Sequence, residues 1–146
     1  YGMYQGKPSD HTLKLVMEEG GFLYSSDSYA DDLPYWVKGS KNDPFLIIPY
    51  TLETNDMRFA TPQGFNSGDQ FYTYLKDAFD VLYQEGVEGS AKMMSVGLHC
   101  RLVGRPGRAA ALRRFIEYVL GHEKVWIPQR IDIARHWHEH HKPEAL

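Results

Sequence analysis

The sequence is poor in cysteine, in excess basic charge and in long apolar runs, and each shortage excludes a class of protein. Cys100 is the single cysteine, so no disulfide can form within the chain, and a reducing compartment such as the cytoplasm is predicted. The net charge of -3 argues against nucleic acid or an anionic membrane as a partner. No apolar run approaches the ~20 residues of a membrane span, and no signal peptide is visible.

What the sequence does have is the composition of a globular protein. Its 146 residues are 42% hydrophobic and 24% charged, enough for a single domain over 1–146. Apolar runs alternate with helical patterns, which predicts about four βα units and a mainly parallel sheet. A complete (β/α) barrel takes roughly 250 residues. Because the chain begins at Tyr1 rather than methionine, we expect part of a barrel that lacks its N-terminal half, rather than a small open domain.

The patterning also locates the individual elements. Strands are predicted at the apolar runs 22–25, 45–50, 93–98 and 125–127, and polar loops at 27–42 and 51–66. Helices are predicted around 13–17, 67–86, 109–120 and 132–141. The carboxyl ends of parallel strands meet at one face of such a fold, so the polar residues that follow each strand form the candidate site.

His99 follows the third apolar run and precedes a Gly/Pro/Arg turn. Histidine transfers protons near neutral pH, which suits a catalytic acid or base at a strand end. The alternative is a histidine satisfied by a backbone carbonyl. Arg101 and Arg105 suit a carboxylate or a developing oxyanion, or else face solvent. Cys100 is interpreted as an inert thiol rather than a nucleophile.

Two earlier strand ends carry further candidates. After the first run, carboxylates beside two aromatics can orient a histidine and line a small polar pocket; these residues are Asp31, Asp32, Tyr35 and Trp36. The alternative is that the aspartates cap turns and the aromatics cover a core edge. After the second run, Asn55 can donate to a substrate carbonyl and Asp56 can accept from a substrate N–H. The alternative there is an Asx turn with a surface ion pair between Asp56 and Arg58.

The end of the chain is rich in histidine. His136 and His140 are four residues apart on one helical face, a spacing compatible with metal binding. The sequence offers no cysteine or carboxylate cluster to complete a ligand shell there. A solvated terminal helix is therefore favoured, and no metal ligand is predicted.

Three long segments, 20–36, 48–59 and 97–108, resemble the cofactor-independent allantoinases of the polysaccharide-deacetylase superfamily. Shorter stretches at 62–71 and 125–137 also fit, so the resemblance covers nearly the whole chain. It implies the C-terminal half of a distorted (β/α) barrel of the polysaccharide-deacetylase type, with no cofactor. It also implies a homo-oligomer, with the N-terminal half of the same barrel as a partner.

The resemblance also implies roles for individual residues. Asp31 and Asp32 with Trp36 look like the family's aspartate–tryptophan motif, and His99 looks like the histidine of its last motif. In the segment 2–7 the family usually has Trp and Arg. Met3 and Lys7 stand there in this chain, and lysine lacks the bidentate fork of arginine.

The implied activity is hydrolysis of a carbon–nitrogen bond in a small cyclic amide, most directly the opening of allantoin to allantoate in purine catabolism. His99 would protonate the leaving nitrogen and Asp32 would orient the imidazole. The other predicted site residues, Asp31, Tyr35, Trp36, Asn55, Asp56, Arg101 and Arg105, would bind the substrate. One alternative is a metal-dependent N-deacetylase of acetylated sugars or peptidoglycan. Another is a non-catalytic half-barrel that needs a partner chain.

Overall fold

A computed structural model describes residues 1–39 and 43–143. They group into two compact units. The sheet unit comprises Tyr1–Tyr50 and the described residues after Trp126, and the helical unit comprises Thr51–Trp126. The single domain that the sequence predicts stays a prediction.

The sheet unit contains four strands in the spatial order β1-β2-β4-β3. They are β1 (Gly2–Met3), β2 (Tyr24–Ser25), β3 (Tyr35–Lys38) and β4 (Pro44–Ile47). β1, β2 and β4 are parallel, as the βα pattern predicts, and α1 (Thr12–Glu19) connects the first two. Gly20 ends α1 in the left-handed conformation, at a φ of 82°. A second helix of this unit, α5, spans Arg130–His140.

β3 corrects the prediction of one continuous loop over 27–42, of which 40–42 lie outside the described residues. It pairs antiparallel to β4, with Tyr35 opposite Ile47 and Trp36 opposite Leu46. The strand forms because β4 offers an edge and because aromatic and β-branched side chains suit a pleated surface. Leu46 is fully buried in this sheet.

The helical unit is built on two long helices. Its elements are a 3₁₀ helix (Asp56–Ala60), α2 (Gly68–Val87), α3 (Cys100–Val103) and α4 (Pro106–Leu120). α2 and α4 pack through apolar residues four apart, which makes one core of Phe65, Phe71, Leu75, Phe79, Val103, Ala111, Phe115 and Val119. None of the helices in the described ranges is long and apolar enough to cross a membrane.

The predicted strands at 93–98 and 125–127 are not strands in the described structure. The first of them makes one isolated parallel bridge, between Gly97 and Asn55. A strand requires a ladder of hydrogen bonds to a neighbour, and an apolar run alone does not reveal whether the neighbour is there. The bridge nevertheless fixes the approach to His99.

Ser67 begins α2 as the sequence predicts. Its Oγ accepts a hydrogen bond from the Gln70 backbone N–H at 3.3 Å, and the Gln70 side chain accepts from the Asn66 N–H at 2.7 Å. The Ser67→Ala variant is expected to lose about 1 kcal/mol of unfolding free energy, measured by urea denaturation. The Ser67→Asp control keeps an acceptor and should stay close to wild type. Equal losses in both variants would contradict the capping role.

Candidate active site

His99 and Asp56 form a hydrogen-bonded pair in the helical unit. His99 Nδ1 lies 2.6 Å from Asp56 Oδ1. Asp56 is fully buried, whereas 27% of the His99 side chain is exposed. The carboxylate thus holds one ring nitrogen inside the unit. Nε2, which has no partner within the described ranges, is the nitrogen that can meet a substrate.

The second oxygen of Asp56 fixes the backbone around the histidine. Oδ2 accepts from the His99 N–H at 2.7 Å and from the Val103 N–H at 3.0 Å. Three N–H donors around one carboxylate compensate for its burial. When Nδ1 donates to the carboxylate, the neutral imidazole carries its lone pair on Nε2. Asp56 therefore sets both the orientation and the tautomer of His99.

The backbone brings these residues together through the isolated bridge. The Asp56 N–H donates to the Gly97 carbonyl at 2.9 Å, and the Gly97 N–H donates to the Thr54 carbonyl at 2.9 Å. The Thr54 hydroxyl adds a bond to the Ser95 carbonyl. Two chain segments that are about forty residues apart are thus aligned in parallel, and both candidate side chains lie just past the bridge.

Asn55 forms the Asx turn that the sequence left as its alternative. Its Oδ1 accepts from the Met57 N–H at 2.9 Å and its Nδ2 donates to the Thr51 carbonyl at 3.1 Å. Asn55 and Asp56 are both buried and bonded to the chain itself, an arrangement that favours positioning roles over the predicted substrate contacts. Asp56 pairs with His99 and not with Arg58, whose guanidinium lies over two aromatic rings.

Arg101 and Arg105 are exposed, the first within α3 and the second at the start of α4. Arg108 is more deeply placed, because its guanidinium donates to the Leu102 carbonyl at 3.3 Å and lies over the Phe59 ring. Cys100 is exposed. The anion-binding roles of Arg101 and Arg105 stay predictions.

Asp31 and Asp32 lie in the sheet unit and are exposed. Asp31 Oδ1 accepts from the backbone N–H groups of Asp32 and Leu33, at 2.7 and 3.1 Å, so this aspartate makes a turn. The role assigned to Asp32, orienting His99, stays a prediction. The carboxylate that the structure places on Nδ1 is that of Asp56.

Tyr35 and Trp36 are consecutive on β3, so their side chains point to opposite faces of the sheet. The Tyr35 hydroxyl lies 2.7 Å from Ser28 Oγ. The Trp36 indole N–H donates to the His141 carbonyl at 2.7 Å, and its ring meets His138 edge-on. The two aromatics therefore contact different neighbours, and their predicted role as pocket walls stays a prediction.

The sheet unit also contains a pocket of about 180 Å³, lined by Gly2, Met3, Tyr4, Tyr24, Ser26, Tyr50 and Arg130. Arg130 donates to Ser26 Oγ and to the carbonyls of Ile48 and Pro49 at 2.9 to 3.1 Å. Burial lowers the pKa of this guanidinium, against the opposing effect of nearby phenols. It ties α5 to the ends of β2 and β4, a role that sequence analysis did not detect.

Comparison with known proteins shows close relatives. No protein-family model matches the chain. A Schizosaccharomyces pombe protein, provisionally named a polysaccharide deacetylase, is 47% identical over 97% of this chain and 48% of its own length. The solved structure of Puue allantoinase is 61% identical with a TM-score of 0.93, over 98% of this chain and 47% of that one.

Two further solved structures carry provisional names as polysaccharide deacetylases. The one from Pseudomonas aeruginosa is 61% identical with a TM-score of 0.93, over 98% of this chain and 48% of its own. The one from Mycobacterium smegmatis is 27% identical with a TM-score of 0.75, over 91% of this chain and 46% of its own.

The chain spans about half the length of each of these relatives. That it forms the C-terminal half stays a prediction. Its parallel-rich sheet and helices match the predicted fold class. The resemblance found in the sequence is thereby confirmed: the chain has the fold of the polysaccharide-deacetylase-type proteins and is closely similar to an allantoinase among them.

Proposed function

We propose that the complete protein hydrolyses a carbon–nitrogen bond in a small cyclic amide, most directly the hydantoin ring of allantoin, to give allantoate. The observation that carries this proposal is the His99–Asp56 pair, with Nδ1 held at 2.6 Å and part of the ring exposed. Identity of 61% with Puue allantoinase supports the choice of a ring amide as substrate.

The proposed chemistry is general acid–base catalysis at His99 Nε2. Water adds to the ring carbonyl carbon, forming a carbon–oxygen bond and placing negative charge on the carbonyl oxygen, while His99 Nε2 accepts the proton that the water loses. His99 then delivers a proton to the leaving nitrogen as the carbon–nitrogen bond breaks. The buried Asp56 carboxylate stabilises the imidazolium form and keeps Nε2 pointing outward, as the aspartate of a catalytic triad does.

The proposal also includes the other predicted substrate contacts, which stay predictions. Arg101 and Arg105 are exposed cations, a chemistry suited to the developing oxyanion or to a ureido oxygen. In the sheet unit, Asp32, Tyr35 and Trp36 stay predictions. The cytoplasmic location, the homo-oligomer and the partner half of the barrel stay predictions as well.

A metal-dependent N-deacetylase is the second candidate, because two relatives at 47% and 61% identity carry provisional names of that kind. The same histidine would protonate the leaving amine. Over the described ranges, no group of three or more His, Cys, Asp and Glu side chains is arranged to hold a metal ion. We therefore assign no step to a metal, whose ligands would have to come from residues beyond those ranges.

Replacing His99 by alanine or glutamine in the complete protein should lower kcat for allantoin by at least about 10²-fold, because the proton donor is lost. The measurement is allantoate release at saturating substrate. The exposed His11→Ala variant is the matched control and should leave kcat unchanged. A His99→Ala enzyme with wild-type kcat would refute the assignment.

The two candidate activities differ in the substrate that is hydrolysed and in their sensitivity to chelator. Assays in parallel on allantoin and on N-acetylglucosamine oligomers, with and without chelator, decide between them. Ring opening that persists in chelator supports the cyclic-amide hydrolase. Release of acetate from the oligomers that stops in chelator favours the deacetylase. Absence of both activities would support the non-catalytic alternative.

A further inference from the structure

The C-terminal end of α5 carries histidines that the proposed chemistry does not use. His136 and His140 are both exposed, and their ring centroids lie 4.5 Å apart with the planes inclined at 48°. They are four residues apart, so they stand one above the other on the same face of the helix. The spacing in the sequence is compatible with metal binding, and the structure adds a contact between the two rings.

This separation matches what two imidazoles need to bind one metal ion. A histidine nitrogen binds Zn²⁺ at about 2.0–2.1 Å, so two rings at right angles on one ion have centroids roughly 4–5 Å apart. The rings are exposed, so water can fill the remaining coordination positions. Because the helix already holds the two side chains together, binding orders few additional groups.

The neighbouring side chains that the structure describes supply no further ligand. The His141 ring lies 5.7 Å from that of His136 and stacks on the Trp137 ring at 4.1 Å. His138 instead packs edge-on against Trp36. Glu139 makes an ion pair with His140 Nε2 at 3.7 Å. The described residues do not form a ready three-ligand set, so the protein supplies two ligands and water the rest.

We propose that His136 and His140 form a two-histidine site for a divalent transition-metal ion such as Ni²⁺, Cu²⁺ or Zn²⁺. Imidazole is a preferred ligand for these ions and a poor one for Mg²⁺ and Ca²⁺. A bound ion would join consecutive turns at the end of α5. The carbonyl of His141, just past that end, accepts the Trp36 indole N–H, so the ion would also secure the contact between α5 and β3.

The test is calorimetric titration of the protein, purified without a histidine tag, with NiCl₂. Saturable binding at micromolar Ni²⁺ is expected for the wild type, and MgCl₂ should give no heat. His136→Ala and His140→Ala should each weaken Ni²⁺ binding by at least about tenfold, since a single imidazole remains. The matched control is His11→Ala, which removes an exposed histidine from α1's start and should bind as wild type does.

A second measurement identifies the ligands in the unaltered protein. Addition of ZnCl₂ should shift the imidazole NMR resonances of His136 and His140 more than those of His11, His99 and His122. Three results would overturn the proposal: no Ni²⁺ binding by the wild type, wild-type affinity in either alanine variant, or Zn²⁺ shifts confined to other histidines. Because the NMR arm needs no substitution, it decides the matter even if a variant misfolds.

Discussion

The Asp56→Asn variant should fold and yet lose about 10³- to 10⁴-fold in kcat, a loss of the size that follows when an aspartate behind a catalytic histidine becomes an amide. The asparagine amide has one oxygen, whereas the carboxylate uses one oxygen for the His99 ring and the other for two backbone N–H groups. If the oxygen accepts from the His99 and Val103 N–H groups, the NH₂ faces His99 Nδ1, and the ring proton moves to Nε2. The imidazole then has the wrong tautomer to act as a base.

The opposite amide orientation is no better. The oxygen then accepts from Nδ1, but the NH₂ points at two backbone donors at 2.7 and 3.0 Å. The His99 N–H then loses its acceptor, which costs about 1–3 kcal/mol, whereas the Val103 N–H keeps its bond to the His99 carbonyl at 3.0 Å. Near-normal kcat in Asp56→Asn would show that Asp56 has no role in proton transfer. Asp69→Asn, at an exposed aspartate of the same unit, is the control that should keep full activity.

A lower kcat in Asp56→Asn could also result from a general loss of structure, so a second measurement must report the tautomer of His99 directly. ¹⁵N NMR of the His99 ring reports which nitrogen carries the proton. In the wild type the proton is expected on Nδ1, and in Asp56→Asn on Nε2. A variant whose far-UV spectrum is unchanged but whose tautomer is reversed would assign the lost kcat to positioning.

The largest expected effect on stability is at Phe71. This side chain is fully buried, with ring centroids 5.3 Å from those of Phe59 and Phe65. Phe71→Ala should lower the free energy of unfolding of the helical unit by about 3–5 kcal/mol, through lost burial and the cavity left behind. The aromatic contacts add to the loss. Urea denaturation followed by far-UV circular dichroism, which reports α2 and α4, is the measurement.

Phe71→Leu is the matched variant, because it keeps most of the apolar volume and should lose much less than the alanine. The exposed neighbour Thr73 provides a second control, and Thr73→Ala should leave stability nearly unchanged. A loss below about 1 kcal/mol in Phe71→Ala would mean that the three rings do not form the centre of the core.

The local elements are the part of this fold that sequence reasoning predicted well. α2 was predicted at 67–86 and spans Gly68–Val87, because its cap at Ser67 and its apolar period are both encoded within the segment. α1 ends at Gly20 for a similar reason, since glycine adopts the left-handed conformation at little cost. Such signals need no knowledge of the rest of the chain.

The sequence does not predict the pairings between distant segments. β3 is only four residues long, and although its aromatic and β-branched residues favour a strand, it pairs because β4 lies alongside it, which the local sequence does not show. The contact between Asp56 and His99 joins positions 43 residues apart. Both residues were candidates because each follows a predicted strand, and that shared position was the available signal for pairing them. The motif resemblance instead predicts that Asp32 has the orienting role.

The alternation along β3 has a consequence for how this chain can tolerate change. Tyr35 is directed toward Ser28, whereas Trp36 is directed toward α5. Insertion of one residue between Tyr35 and Trp36 would turn the rest of the strand over and put both rings on the same face. Both aromatics would survive in an alignment, yet Trp36 would no longer reach α5. Loop length can therefore vary on either side of β3, whereas a length change inside the strand would break one of these two contacts.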